Sequence, residues 1–343
     1  MGGIWSVNLE LRQVSDGVFA TSRAAMQAEV ADVIAFDMDG VLINVHQSYP
    51  VVICQAVTKY LEEVGFSTDG LAILPEETAY FKAAGGFNSD WSLAQGITLS
   101  FLVKAQVFGS RDAMALRRAD PDIPTLARGV GQYGGGLSGL HRALENIIEL
   151  SDLEVVLQSW DRTRITRLAQ EFYAGDQSPT VFGIQNETIS GPGFMLREKS
   201  LVTRDLLTRA PFRYAIYTGR NQGEAKFALS KAGLEGIIPD AAMITEDRGY
   251  RKPDPRGLQK IVEQLSPRLL IYVGDNLDDW QTATRYETDR SLDDPPCLFC
   301  GMLGGSPGPL AYSLFQERGV DLLANSVVQL LDWLQARQPQ RLS

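Results

Sequence analysis

Asp32-Val33-Ile34-Ala35-Phe36-Asp37-Met38-Asp39-Gly40-Val41 sets a short apolar run directly against two carboxylates and a glycine. A run of this length, rich in β-branched side chains and ended by polar loop residues, reads as a strand buried on both faces of a parallel sheet. Similar runs recur at 213–217, 269–273 and 296–300, and the first two of these again lead into polar residues and then a helical pattern. Strands alternating with helices predict an α/β fold with a doubly wound parallel sheet. In such a sheet, residues just past the strand carboxyl ends converge on one crevice. Asp37, Thr218 and Asp275 fall at such ends.

Between the first strand and the second the texture changes. Helical patterns at 51–64, 75–83, 90–108, 140–150 and 162–173 are separated by the glycine breaks Gly85-Gly86 and Gly134-Gly135-Gly136. The strands on either side must share one sheet for their end residues to meet. The expectation is therefore a catalytic core of residues 1–47 and 200–343, interrupted by an inserted, mainly helical cap domain of residues 48–199. Past the strand at 269–273, the chain predicts a helix at 278–286, a late strand near 320–323 and a closing amphipathic helix at 326–334. Residues 5–11 read as a hairpin or edge strand.

Composition narrows the class. The 343 residues carry 32 Lys+Arg against 42 Asp+Glu, a formal charge of −10, which repels a nucleic-acid backbone. An anionic small substrate then needs a local basic site. No apolar stretch approaches the roughly 18 residues of a membrane span, and no basic-then-apolar leader opens the chain, so a cytoplasmic protein is expected. Met1-Gly2 followed by Ser6 fits the loose myristoylation pattern, which arises often by chance. The cysteines, Cys54, Cys297 and Cys300, are too few for a disulfide framework, and Cys297 and Cys300 read as buried strand thiols. His46 and His141 are too few and too separated to form a metal cluster.

The polar residues at the strand ends carry a definite chemistry. Asp37 is the candidate nucleophile, because a carboxylate attacking a phosphate monoester forms an aspartyl-phosphate. Attack on a dianion needs a cation, and Mg²⁺ suits a site made only of oxygens. Asp39 is the candidate acid and base, protonating the leaving alkoxide and then deprotonating the hydrolytic water. Tyr217-Thr218-Gly219-Arg220 ends a strand with a hydroxyl and a glycine before a helix; Thr218 reads either as a phosphoryl-oxygen ligand or as a helix cap. Lys252, in Arg251-Lys252-Pro253-Asp254-Pro255, reads either as a solvated charge or as the cation facing phosphate and Asp37. In Gly274-Asp275-Asn276-Leu277-Asp278-Asp279, Asp275 is the expected metal ligand, with Asp279 and Asp278 in support.

In this order, Asp37 and Asp39, then Thr218, Lys252 and Asp275 to Asp279, the chain resembles the haloacid-dehalogenase superfamily. The resemblance covers residues 32–44 and those from 199 onward, and it rests on motifs. It implies the roles just described and a backbone carbonyl at Asp39 that binds Mg²⁺, while the Gly219 N–H near a helix start, with Arg220 beside it, is the expected substrate contact. The insertion resembles the helical cap of the phosphoglycolate-phosphatase-like branch and is longer than is usual there. Hydrolysis of a small phosphorylated metabolite is the implied function. A phosphomutase of the same superfamily and a non-catalytic binding protein that keeps the fold are the alternatives. Asp39 argues against a dehalogenase, since a departing halide needs no acid.

Within the insertion, Lys82, Gly85, Gly86 and Asn88 are candidate substrate contacts; the competing reading is a helix break with Asn88 or Asp90 as cap and Trp91 in the core. Residues 131–136 read as a second mobile contact or as a linker. Glu76, Glu77 and Asp90 are compatible with a cationic leaving group.

Overall fold

Every residue of the strand Val33–Phe36 is buried, and the computed structural model, which describes residues 10–87, 89–305 and 311–338, builds a sheet outward from it. Among the described residues the strands are β1 (Arg12–Ser15), β2 (Val18–Ala20), β3 (Val33–Phe36), β4 (Ile43–Asn44), β5 (Lys199–Ser200), β6 (Arg213–Tyr217), β7 (Met243–Ile244), β8 (Leu270–Gly274), β9 (Cys297–Met302) and β10 (Leu322–Ala324). All but β4 and β5 join one sheet in the order β1-β2-β10-β9-β8-β3-β6-β7. Neighbours from β10 to β7 run parallel. The β1–β2 hairpin pairs antiparallel on the β10 side and covers that edge.

Register decides what meets at the carboxyl ends. Phe36 on β3 is level with Ile216 on β6 and with Val273 on β8, so the residues that follow the three strands emerge side by side. The Asp37 N–H still donates to the Val273 carbonyl, at 2.8 Å, which ties the nucleophile candidate to the end of β8. The sheet is thus α/β and mostly parallel, as its buried apolar runs require.

Some expectations shift. The N-terminal strand lies at Arg12–Ser15 and turns at Gly17, beyond the expected 5–11; residues 5–9 and the Met1-Gly2-Ser6 pattern fall outside the described residues. β7 was not anticipated, because two residues are too short for a periodicity to register. Cys297 and Cys300 are buried on β9, and Cys54 is buried in a helix; all three are free thiols.

The chain divides into two compact units, Met1–Asn44 with Lys199–Ser343, and Val45–Glu198. The expected junctions at 47/48 and 199/200 lie beside these. The chain leaves the sheet unit at Asn44 and re-enters it at Lys199, and these two residues are direct partners in the antiparallel pair β4–β5. Entry and exit of the insertion therefore share one place.

The inserted unit is helical, and helix Asp90–Phe108 runs through its middle. Residues 93–104 of that helix are buried without a break, as expected of a helix surrounded by others. Helices Tyr49–Glu63, Arg162–Ala174, Gly136–Leu144 and Leu150–Gln158 pack around it. The single helix expected at 140–150 is two, interrupted at 145–149. Lys104 is enclosed and donates to the Leu116 and Ala119 carbonyls, 3.0 Å each, capping the end of helix Ala113–Arg118; burial lowers its amine to about 8. Among the described residues, no helix is long and apolar enough to cross a membrane.

One buried acid organises the end of this unit. Glu171 is fully buried and accepts from the backbone N–H groups of Glu187, Thr188 and Ile189 at 2.8–2.9 Å, with Arg167 at 2.8 Å. Burial opposes its charge, but these donors outweigh burial and hold the carboxyl below its usual range. Glu171→Gln is expected to lower unfolding free energy near pH 7 by roughly 3 kcal/mol. Because the folded-state pKa is depressed, the carboxylate's contribution is complete above the unfolded value of about 4.3 and is lost as pH falls through the lower folded value. Denaturant titrations of both proteins should therefore converge on acidification; a gap that is constant from pH 7 to pH 3 would contradict the assignment.

Candidate active site

Asp37 begins where β3 ends, and its carboxylate is 4% exposed. Its Oδ1 accepts from the Met38 N–H at 2.7 Å and from Lys252 Nζ at 2.8 Å. Both bonds fall on one oxygen, which leaves Oδ2 available for attack. Burial pushes the Asp37 carboxyl well above its usual range; Lys252 opposes this, and the charges of Asp279, Asp39 and Asp275 add to it.

Lys252 stands between two acids. Its ammonium lies 2.8 Å from Asp37 Oδ1 and 2.6 Å from Asp279 Oδ1, and about 6 Å over the rings of Tyr217 and Tyr272. Burial works against its charge, but Asp279 and Asp37 outweigh burial and raise it above the ordinary lysine value. The loop that carries it is fastened to the sheet: the Tyr217 hydroxyl donates to the Asp254 carbonyl at 2.9 Å, and Arg285 to that of Pro253 at 3.2 Å. Lys252 is therefore a fixed interior cation and not a solvated surface charge.

Asp279 is occupied on both oxygens. Oδ1 takes Lys252 and the Tyr272 hydroxyl, each at 2.6 Å, and Oδ2 takes the N–H groups of Asp275 and Asn276 at 3.2 and 3.3 Å. Asn276 caps helix Leu277–Asp289 and Asp279 returns the capping box, so the helix start itself folds this carboxylate back toward β8. Gly274 makes the fold possible, since a Cβ there would lie 2.3 Å from Asp279 Cβ. Asp278 sits on the same first turn, buried, with its N–H on Asn276 Oδ1.

Asp37, Asp275 and Asp279 bring carboxylate oxygens within 4.8 Å of one another, all buried. Three carboxylates against the single Lys252 ammonium leave two negative charges among these four groups. A proton on Asp37, whose carboxyl burial already raises, or a bound cation can relieve a buried excess of that size, and an all-oxygen donor set of this kind suits a hard divalent ion. Gly40, in the left-handed region at φ +71, lets the chain pass Asp275; a Cβ would stand 2.2 Å from its Oδ2.

Asp39 is not part of that cluster. Its Oδ1 accepts from Arg220 Nε at 2.8 Å and Nη2 at 2.6 Å. Thr218 Oγ1 accepts from the Arg220 N–H at 3.2 Å, which leaves the hydroxyl proton to be donated elsewhere. Helix Gln222–Lys231 is capped by Asn221, with Glu224 completing the box, so Thr218 is not its cap. Among the described residues, the N–H groups of Asp39 and Gly219 have no protein acceptor. Two carboxylates, a hydroxyl, an ammonium and two amides thus gather at the ends of β3, β6 and β8.

The described candidates in the insertion make contacts within that unit. Lys82 pairs with Asp90 at 2.9 Å and donates to the Phe87 carbonyl at 3.1 Å, while Glu77 pairs with Arg117 at 2.9 Å. Those acids therefore brace neighbouring helices. Trp91 packs against Tyr49, Tyr173 and Phe182, with ring centroids 5.8–6.0 Å apart. Gly85-Gly86 and Gly135-Gly136 close on each other as a tight glycine clasp, with Gly136 N–H donating to Gly85 O at 2.9 Å, so residues 135 and 136 are packed against backbone and are not a loose linker. Asn88 lies outside the described residues. Local patterning carries no sign of the Tyr217 and Tyr272 contacts or of the Arg220–Asp39 pair, because each joins residues far apart in the chain.

Comparison with known proteins identifies the family and the fold. A family model described as haloacid dehalogenase-like hydrolase matches residues 31–285. The chain is similar in fold to a phosphatase from Thermococcus thioreducens, at 22% identity and a TM-score of 0.50, covering 78% of this chain and 92% of that one. It is also similar to a structural-genomics target solved by X-ray crystallography, at 16% identity and a TM-score of 0.58, covering 90% and 100%. No curated protein sequence matches the chain significantly.

The glycine clasp yields a discriminating pair of variants. Gly134 and Gly135 both have positive φ, but a Cβ at Gly134 meets open space while one at Gly135 would lie 2.3 Å from Gly85 O. Both alanine substitutions carry a positive-φ backbone penalty, about 1–3 kcal/mol at Gly135, whose φ 78 and ψ −179 suit glycine alone. Gly135→Ala is expected to cost about 1–3 kcal/mol more, the scale of overpacking, in thermal or denaturant unfolding. Equal losses would show that the two segments do not pack as described.

Proposed function

The chain belongs to the haloacid dehalogenase-like hydrolases, and on that footing we propose that it is a Mg²⁺-dependent phosphatase acting on a small phosphomonoester through an aspartyl-phosphate at Asp37. The observation that carries this reading is the buried group of Asp37, Asp275 and Asp279 around one ammonium at the end of the central strand. Asp37 and Asp275 would hold the ion, with the backbone carbonyl of Asp39 that the family resemblance implies. When bound, Mg²⁺ neutralises phosphoryl charge so that a carboxylate can approach a dianion.

Each protein group then has a task. Lys252 holds Asp37 by Oδ1 and presents Oδ2 to phosphorus. The Thr218 hydroxyl and the free N–H groups of Asp39 and Gly219 receive phosphoryl oxygens, and such fixed donors cost no reorganisation as charge shifts. Asp39 gives its proton to the leaving oxygen and later takes one from water. Asp279, with four donors on its two oxygens, positions Lys252. The substrate class proposed is a phosphorylated metabolite with an alcohol leaving group, since an acid is provided for it.

Purified protein should release inorganic phosphate from at least one ester of a broad panel, only with Mg²⁺ present, and EDTA should abolish the release reversibly. Asp37→Asn should lower the rate by more than about 10³-fold, as loss of a nucleophile does. Activity persisting in Asp37→Asn would remove Asp37 from the role. Transfer of the phosphoryl group to a second hydroxyl of the substrate, with no free phosphate, would make the protein a mutase instead.

A further inference from the structure

Arg220 is the largest fully buried side chain among the described residues. An arginine is rarely enclosed without a partner. Here the guanidinium side chain is 1% exposed and the Asp39 side chain in front of it is 24% exposed. The arginine therefore stands behind the acid, with Nε and Nη2 both on Asp39 Oδ1. Among the described residues Oδ2 of Asp39 has no protein donor.

The backbone of the same residue is equally fixed. Its N–H holds Thr218 Oγ1 at 3.2 Å, and its carbonyl accepts from the Glu246 N–H at 3.0 Å. Thr218 N–H in turn donates to the Ile244 carbonyl at 3.0 Å, joining the turn to the end of β7. One residue thus sets both the Thr218 hydroxyl and the Asp39 carboxylate relative to the sheet.

We propose that Arg220 is a positioning residue for proton transfer, holding Asp39 by Oδ1 so that Oδ2 alone meets the leaving-group oxygen and, afterwards, the water. This rests on the phosphatase reading above and departs from the sequence expectation that Arg220 contacts substrate. In the first step an Asp37 oxygen bonds to phosphorus, the bond from phosphorus to the leaving oxygen breaks, and that oxygen takes the proton of Asp39 Oδ2. In the second, a water oxygen bonds to phosphorus and the bond to Asp37 breaks with its electron pair returning to the carboxylate. The proton of the water passes to Asp39 Oδ2. A side chain free to rotate would miss the reacting oxygen for most of its time, and misplacement of a catalytic group by about 1 Å can cost 10²-fold.

The two steps differ in their need for the acid, and this separates positioning from binding. p-Nitrophenolate leaves without a proton, whereas an alkoxide does not. Arg220→Met keeps the bulk and removes the donors. In rapid mixing, it is expected to form the aspartyl-phosphate from p-nitrophenyl phosphate at a rate within about threefold of the parent, but from the best alkyl phosphate about 10²-fold more slowly, the scale of general acid catalysis. The second step still requires Asp39 as base, so the variant should show a burst of nitrophenolate near one equivalent per chain and then slow turnover. Arg220→Lys should restore part of the alkyl rate.

An equal fall on both esters with no burst, or a raised KM at unchanged kcat, would overturn the proposal and return Arg220 to the fold or to substrate binding. If Arg220→Met does not fold by circular dichroism, Arg220→Lys and Arg220→Gln carry the same comparison, with the loss on the alkyl ester again expected to exceed that on the aryl ester. A parent protein that releases phosphate, paired with variants that fail this pattern, refutes the positioning role alone. A parent that releases none refutes the phosphatase reading beneath it.

Discussion

The Lys252 ammonium meets Asp37 at 2.8 Å and Asp279 at 2.6 Å in a place nearly closed to water. Taking one cation and two anions out of water is expensive, and the contact survives because every partner is held by something else. Met38 N–H holds Asp37, while Tyr272 and two backbone amides hold Asp279. Removing one member of such a group typically costs about 3–5 kcal/mol, because it leaves the others buried and uncompensated. Three interior carboxylates share one lysine at the sheet end, an arrangement that suits the divalent cation of the proposed mechanism. Structure and chemistry thus place the same demand on the same atoms.

The level ends of β3, β6 and β8 bring the parts together. Asp37, Thr218 and Asp275 each follow an apolar run, and a parallel sheet with aligned registers carries them to one edge. This much was legible in the sequence, because strand burial depends on local hydrophobic runs and the carboxyl ends of parallel strands face one way. Lys252 was legible only through its stiff proline-flanked loop, and its burial was not, since that depends on Asp279 and the two tyrosine rings from other elements. Arg220 was placed near the substrate by its neighbours in the chain, whereas its partner, Asp39, follows the adjacent strand β3, far away in sequence. Pairings between distant segments leave no periodicity to read.

The inserted unit divides along the same line. Helix 90–108 was readable end to end, since a long apolar stretch between Asp90 and Gly109 has few other solutions. The five-residue break at 145–149 was not, because apolar residues continue on both sides of it. Glycine clusters invite a reading of mobility; here Gly86, Gly135 and Gly136 instead permit two backbones to come closer than any side chain would allow. The difference between flexible and close-packed glycine is a property of the neighbour and not of the glycine.

The proposed hydrolysis passes through a covalent bond between phosphorus and one carboxylate. Acid-quenching the protein during turnover with Mg²⁺ and its best substrate, reducing with borohydride and mapping peptides by mass should convert Asp37 to homoserine, since an acyl phosphate is reduced where a free carboxylate is not. The conversion should require both substrate and Mg²⁺. An unmodified Asp37 in protein quenched while turning over, or homoserine at any other aspartate, would contradict the account.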